Sequence, residues 1–239
     1  MAPAHRRRPP TGGASPPIGR CTIAATINTP NPVTAATREF AEAYAPEDRV
    51  LQVARSLSHE IGLSPVQPGA GAALRLLAAA GGAKAVVEIG TGAGVSGLWL
   101  LSGMRSDGIL TTIDVEAEHQ RMARRIFIEA GYQPSRTRII TGRALDVMPR
   151  LADGMYDLLF VDGDRDEYAS CVGSAQRLLR PGGILAINGV LADGKVADPA
   201  ARDPETVVLR ELVKALREAE EWLPALLPVG NGLLAAVKR

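Results

Sequence analysis

The chain predicts an α/β protein with a seven-stranded, mostly parallel sheet covered by helices on both faces. Three observations carry this. From Lys84 onward, short apolar runs alternate with helical segments roughly every 25 residues, the pattern of a doubly wound sheet. The first run leads through Gly90, Gly92 and Gly94 into a helix, so strand, glycine turn and helix N-terminus follow one another. The tail then changes character, because Trp222 to Pro228 and Gly232 to Lys238 are extended apolar segments joined by Gly230-Asn231, a turn signal for a closing antiparallel strand.

The elements follow in chain order. Residues 1–33 carry Arg6-Arg7-Arg8, several prolines and no acidic residue, and read as a disordered basic arm. Pro9 to Gly13 follows the arginines where a signal peptide needs an apolar stretch. Residues 34–239 read as one domain, with N-terminal helices over 34–82 and an α/β core over 83–239. Helical spacing runs to Tyr44, and Pro46 opens a second helix reaching about Ile61. A loop over Gly62 to Pro68 precedes a third helix, Gly69 to Ala80, closed by Gly81-Gly82. Strands are expected at Ala85–Ile89, Ile109–Asp114, Thr137–Thr141, Tyr156–Asp162 and Gly183–Asn188. Helices are expected at Val95–Met104, Glu116–Ala130, Arg143–Leu151, Asp166–Leu179 and Pro204–Glu221.

Composition narrows the function. At 239 residues and 46% hydrophobic content the chain buries an ample core, and a net charge of +1 gives no argument for a nucleic-acid partner. No apolar run approaches the roughly 18 residues of a membrane span. Cys21 and Cys171 suggest neither a disulfide framework nor a metal site, so a soluble protein of the reducing cytoplasm is expected.

The glycine turn carries the chemistry. Gly92-Ala93-Gly94-Val95-Ser96-Gly97 is a literal GxGxxG, and Asp114 lies where a ribose-binding acid of a dinucleotide site would stand. That motif alone is weak. A second register begins at Glu88-x-Gly90-x-Gly92-x-Gly94, the S-adenosylmethionine signature of Rossmann-like methyltransferases. An acid at that strand end suits a ligand with an ammonium and a sulfonium, and would repel a pyrophosphate. Ligands of open sheets bind at the carboxyl ends of strands. Asp114 ends the second strand, placed to accept two ribose hydroxyls or to cap the next helix. Gly142-Arg143-Ala144 ends the third, and Asp162 ends the fourth where a reactive group would sit.

With EIGTGAG, Val161-Asp162-Gly163-Asp164 and Leu178-Leu179-Arg180-Pro181-Gly182-Gly183, the chain resembles the caffeoyl-CoA and catechol-type class I O-methyltransferases, especially their small bacterial members. Val190 to Pro199 and Leu227 to Leu234 follow the same family, so the resemblance covers about Thr34 to Arg239. It implies a Rossmann-like fold, methyl transfer from S-adenosylmethionine to a small-molecule oxygen with S-adenosylhomocysteine as product, and a homodimer. It also implies site residues. Val66 would pack near the methionine part; Glu88, Gly90, Thr91, Gly92 and Ser96 would hold the amino-acid end; Asp114 and Val115 would take the ribose and adenine edge, and Arg143 and Ala144 the adenine. Asp162 would touch both cofactor and acceptor and is the candidate catalytic residue.

The family's metal chemistry carries over poorly. Its members use the equivalent of Asp162 with a following Asp-Asn pair to bind Mg²⁺, and here that pair is Asn188-Gly189. One firm anionic donor remains for a cation that prefers several, unless Asp164 or Asp193 substitutes. The lysine three residues after the metal aspartate is here Arg165, which stays protonated and is a poor base. The sequence therefore predicts transfer without a metal. His59, in the helix before the Val66 loop, is a candidate base, whereas His119 is expected to be solvated or capping. Two alternatives stay open: a non-catalytic protein that binds S-adenosylmethionine or S-adenosylhomocysteine, and an NAD(P)-dependent oxidoreductase.

Overall fold

The computed structural model describes residues 34–239; the predicted basic arm, with Cys21, lies outside the described residues. Helices α1 (Ala35–Ala43), α2 (Arg49–Glu60) and α3 (Pro68–Ala80) precede the sheet. The core alternates β1 (Ala85–Ile89), α4 (Val95–Gly103), β2 (Ile109–Asp114), α5 (Ala117–Glu129), β3 (Thr137–Thr141), α6 (Ala144–Val147), β4 (Tyr156–Val161), α7 (Tyr168–Leu178) and β5 (Leu179–Ile187). It closes with α8 (Pro204–Glu218), β6 (Trp222–Leu227) and β7 (Leu233–Lys238). The strands form one sheet in the order β3-β2-β1-β4-β5-β7-β6. Only β7 runs against its neighbours, as the tail pattern predicts. Pro224 is tolerated because β6 is an edge strand, where a missing N–H faces no partner.

Alternation along the strands divides the core in two. Val87, Ile89, Leu159 and Leu185 meet α7 and α8 through Tyr168, Leu178 and Leu209. Val86, Leu158, Phe160 and Ala186 meet α3, α4 and α5 through Leu74, Trp99 and Phe127. Helix α4 is buried from Val95 through Leu101, which explains why its sequence shows almost no polar face.

Several boundaries differ from the sequence reading, each for a local reason. Helix α2 starts at Arg49, not Pro46, because the Asp48 carboxylate accepts the Leu51 N–H at 2.9 Å and caps it. Helix α6 is one turn followed by a 3₁₀ turn at Met148–Arg150, since Pro149 donates no hydrogen bond. Helix α7 begins at Tyr168 after a 3₁₀ turn over Arg165–Glu167, capped by Asp164. Strand β5 begins at Leu179, with Arg180 to Gly183 looping outward: Tyr156 opposes Leu179, whereas Leu158 already opposes Ile184. Helix α8 stops at Glu218 so that β6 can start at Trp222. No described helix is long and apolar enough to cross a membrane.

Candidate active site

Parallel order with a reversal between β1 and β4 opens a crevice at the strand carboxyl ends. There the loop after α2, the turn after β1 and the ends of β2, β3 and β4 enclose a cavity of about 630 Å³. Ten of the predicted residues line it: Val66, Gly90, Thr91, Gly92, Ser96, Asp114, Val115, Arg143, Ala144 and Asp162. Sequence positions almost a hundred residues apart thus converge because each terminates or follows a strand.

The turn after β1 is set by its glycines and by Asp114. Gly90 holds φ +92°, and a Cβ there would stand 2.3 Å from the Asp162 carbonyl oxygen. Gly92 holds φ +49°, but a Cβ on it would meet only Leu63, at 3.4 Å. The first glycine is required by neighbouring backbone, whereas the second leaves space toward the cavity. Asp114 Oδ2 accepts the N–H groups of Thr91 at 2.9 Å and Gly92 at 3.0 Å, and Oδ1 accepts that of Glu116 at 2.9 Å. Asp114 faces the cavity and fixes the turn, but it is not the cap of the next helix: that position is Glu116, whose N–H it accepts.

Val66 is buried in the loop that closes one side, and Arg55 on α2 positions this loop by donating to the Val66 carbonyl at 2.8 Å. Glu47 in turn holds Arg55, accepting from its Nε at 2.8 Å. On the opposite side Arg143 pairs with Glu167 at 2.8 Å across the rim. Ala144 is buried and Val115 is exposed beside them.

Glu88 is placed differently from the residues around it. It is fully buried and absent from the cavity wall, because it shares with Val86 the strand face toward α4, where a Cβ on Gly97 would lie 3.3 Å from its Oε2. Burial pushes its carboxyl up to about 7. The Ser96 and Thr112 hydroxyls offset part of that, yet neither carboxylate oxygen closes a hydrogen bond of good geometry. An uncompensated acid directly beneath a glycine turn creates a negative potential there, suited to a cationic ligand group.

Asp162 stands at the end of β4, on the cavity wall. Burial raises its carboxyl to about 6, against the Asn188 amide, which donates to Oδ1 at 2.9 Å, and the nearby Arg165 charge. Tyr168 donates to the Asn188 carbonyl at 3.2 Å, and the Asn188 Oδ1 is buried without a partner. Asp164 also lines the cavity, and its Oδ1 accepts the Asp166 N–H at 3.0 Å. Among the described residues no three His, Cys, Asp or Glu side chains come together as a metal-binding group. The donor set around Asp162 does not fit a divalent cation, which prefers about six oxygens.

The structure adds cavity residues that the motif reading left out, and it places His119, expected to be solvated or capping, on the same wall. His119 lines the cavity with Nδ1 3.4 Å from Asp114 Oδ1, and Ser58, Ser64 and Glu116 join it. His119 lies five positions after a strand-ending aspartate, in the first turn of the following helix, which is the signal that ties it to the crevice. His59, by contrast, is exposed and absent from the cavity wall, so the general-base suggestion for it has no geometric basis.

Comparison with known proteins gives one answer. The family model described as O-methyltransferase matches residues 42–239. A relative from Mycobacterium tuberculosis named as a probable O-methyltransferase is 52% identical over 198 residues, covering 83% of this chain and 88% of its own length. Among solved structures, a protein from Corynebacterium glutamicum is similar with a TM-score of 0.79 and 37% identity, covering 85% of this chain and 95% of that one. The O-methyltransferase TomG of Streptomyces achromogenes, involved in tomaymycin synthesis and solved in complex with SAM, gives a TM-score of 0.75 at 28% identity, covering 84% and 94%. With a match over nearly all of the described residues and a relative above half identity, the chain belongs to the O-methyltransferase family.

Proposed function

We propose that this chain transfers the methyl group of S-adenosylmethionine to an oxygen of a small organic acceptor, with Asp162 as the side chain shared by the cofactor and acceptor sides. The carrying observation is the joining of the glycine turn, Asp114, the Val66 loop and Asp162 around one cavity of about 630 Å³, a size suited to such a ligand. The bound cofactor would supply an already activated methyl group on sulfur. The protein's own residues then have mainly to position and desolvate. Asp114, Val115, Arg143 and Ala144 are set to hold the nucleoside end, and Val66, Gly90, Thr91, Gly92 and Ser96 the amino-acid end, with Glu88 acting from beneath through its field. A carboxyl raised to about 6 is largely ionised at neutral pH, so Asp162 can accept the proton that leaves the acceptor hydroxyl. Alignment of this kind contributes several kcal/mol to a transfer reaction, on the order of 7 or more where fit is close.

Calorimetric titration of S-adenosylhomocysteine into the full-length protein tests the cofactor assignment. Saturable binding is expected, weakened about tenfold or more in Asp114→Asn, because a charged acceptor is lost from both turn and ligand. Absence of binding to the wild-type protein would reject the assignment. The literal GxGxxG is the sole support for a dinucleotide oxidoreductase. Nothing around Asp162 favours a purely binding role over turnover.

The family resemblance also supports a homodimer, and the sparse cysteines a reducing compartment. Its proposed contact is the face formed by the end of α1 and by α3, where Tyr44 is 80% and Leu76 is 68% exposed, beside a shallow groove lined by Ala72, Ala73, Ala79 and Gly103. Light scattering after gel filtration should give twice the chain mass, and Leu76→Glu combined with Tyr44→Ser should give a monomer. A wild-type monomer at micromolar concentration would remove this reading.

A further inference from the structure

The end of β5 shows what fills the place where relatives with an Asp-Asn pair would have ligands. Gly189 has φ +72°, and a Cβ on it would lie 3.2 Å from Arg165 Nη2 and 3.9 Å from both Cζ and Nε. The guanidinium therefore lies directly over a residue whose side chain is missing. Carboxylates surround it: Glu205 on α8 pairs with Nη1, Asp193 adds attraction from the loop after β5, and the Arg165 charge offsets part of the burial that raises Asp162. Asn188 closes the group by donating to Asp162 at 2.9 Å. Arg165 directly follows the cavity-lining Asp162, Gly163 and Asp164 and remains one-third exposed, so donors not engaged by Glu205 are accessible beside the cavity.

We propose that the Arg165 guanidinium is a built-in cation occupying the metal position, admitted there by Gly189, and that it presents N–H donors to the acceptor oxygen in place of a chelated ion. Three features agree. A permanent charge satisfies the surrounding acids without a metal. Asn188 in place of an acid removes the second negative charge that a divalent ion would need, while its amide secures Asp162. Glycine at 189 both deletes a ligand and opens the volume that the larger guanidinium requires. Arg165 thus stabilises negative charge on the acceptor oxygen through hydrogen bonds, and no vicinal pair of hydroxyls is needed to grip it. This inference rests on the methyltransferase reading for the meaning of the acceptor side, but the identity of the cation is independent of it.

Mn²⁺ binding, followed by electron paramagnetic resonance on the full-length protein with and without S-adenosylhomocysteine, tests the proposal. The wild-type protein should leave Mn²⁺ free, and so should Asp162→Asn. The triple variant Asn188→Asp, Gly189→Asn, Arg165→Gln should bind one Mn²⁺ at least tenfold more tightly than wild type. Stoichiometric Mn²⁺ binding by wild type that Asp162→Asn abolishes would overturn the proposal, whatever the variants do. A folded triple variant that leaves Mn²⁺ free would also overturn it, since the position would then not be a cation site. If the triple variant does not fold, Gly189→Ala serves: displacing Arg165 should change the resonances of a ¹⁵Nε-labelled Arg165, and an unchanged resonance counts against the proposal. Failure to bind S-adenosylhomocysteine, with Mn²⁺ still free, would reject the methyltransferase reading and leave the cation assignment standing.

Discussion

Gly90→Ala is expected to lower stability by about 2 to 5 kcal/mol, the largest loss from a single methyl group in the site. Two costs add. A Cβ there meets the Asp162 carbonyl oxygen at 2.3 Å, and backbone cannot swing aside as a side chain can. Overpacking of this kind costs about 1 to 3 kcal/mol, and a positive φ on a residue with a side chain about 1 to 2 more. For a chain this long the melting temperature should fall by about 10 °C, readable by calorimetry. Relief of the clash would push β4 away from β1, carrying Asp162 with it, so cofactor binding should fall together with stability. Gly92→Ala is the contrast. Its Cβ meets only Leu63 at 3.4 Å, so stability should drop by no more than about 1 to 2 kcal/mol, while S-adenosylhomocysteine affinity falls because the methyl group enters the cavity. Equal melting temperatures for Gly90→Ala and wild type would show that the turn is not as tight as its geometry requires.

Glu88→Gln is expected to stabilise the ligand-free protein at pH 8 by an amount on the order of 3 kcal/mol. The cause is the carboxyl raised by burial from 4.5 to about 7 with both oxygens unpartnered. A folded pKa above the unfolded one means that the folded state holds its proton more tightly. The associated stability is full below about pH 4.5, declines as pH rises, and is gone above about pH 7, where the fold must carry a buried charge. Asp162 contributes the same sign between 3.8 and about 6. Each pK unit is worth about 1.4 kcal/mol, which sets the size of the effect. The difference between wild type and Glu88→Gln, measured by denaturant titration from pH 5 to 8, isolates Glu88 from the other carboxylates. It should grow with pH across this range. A flat difference would mean that Glu88 is already paired. The same substitution should weaken S-adenosylhomocysteine binding, because the charge that costs stability supplies the field beneath the turn.

Much of this site was open to inspection in the linear sequence. Gly90, Gly92, Asp114, Arg143 and Asp162 were locatable because each marks the end of a predicted strand, and parallel topology sends every such end to one crevice. Boundaries were less accessible where short-range chemistry decides them, as with the Asp48 cap that delays α2 and the outward loop of Arg180 to Gly183 within β5. Glu88 stands out in the sequence by its place before the glycines. Its direction does not, since facing α4 or facing the crevice depends on how one strand sits under one helix.

What the sequence alone determined, then, is the order of elements, the sheet class and the residues delivered to the crevice, because hydrophobic period and glycine position are local properties of the chain. Tertiary structure decided the rest. Only packing of the loop after β4 against the end of β5 places the Arg165 guanidinium over Gly189, and only the approach of α8 gives it Glu205. Only the fold leaves His59 outside the cavity and brings His119 to Asp114. Charge and hydrogen bonding act over a few ångströms, and which groups come that close is settled by long-range contacts that no local pattern records.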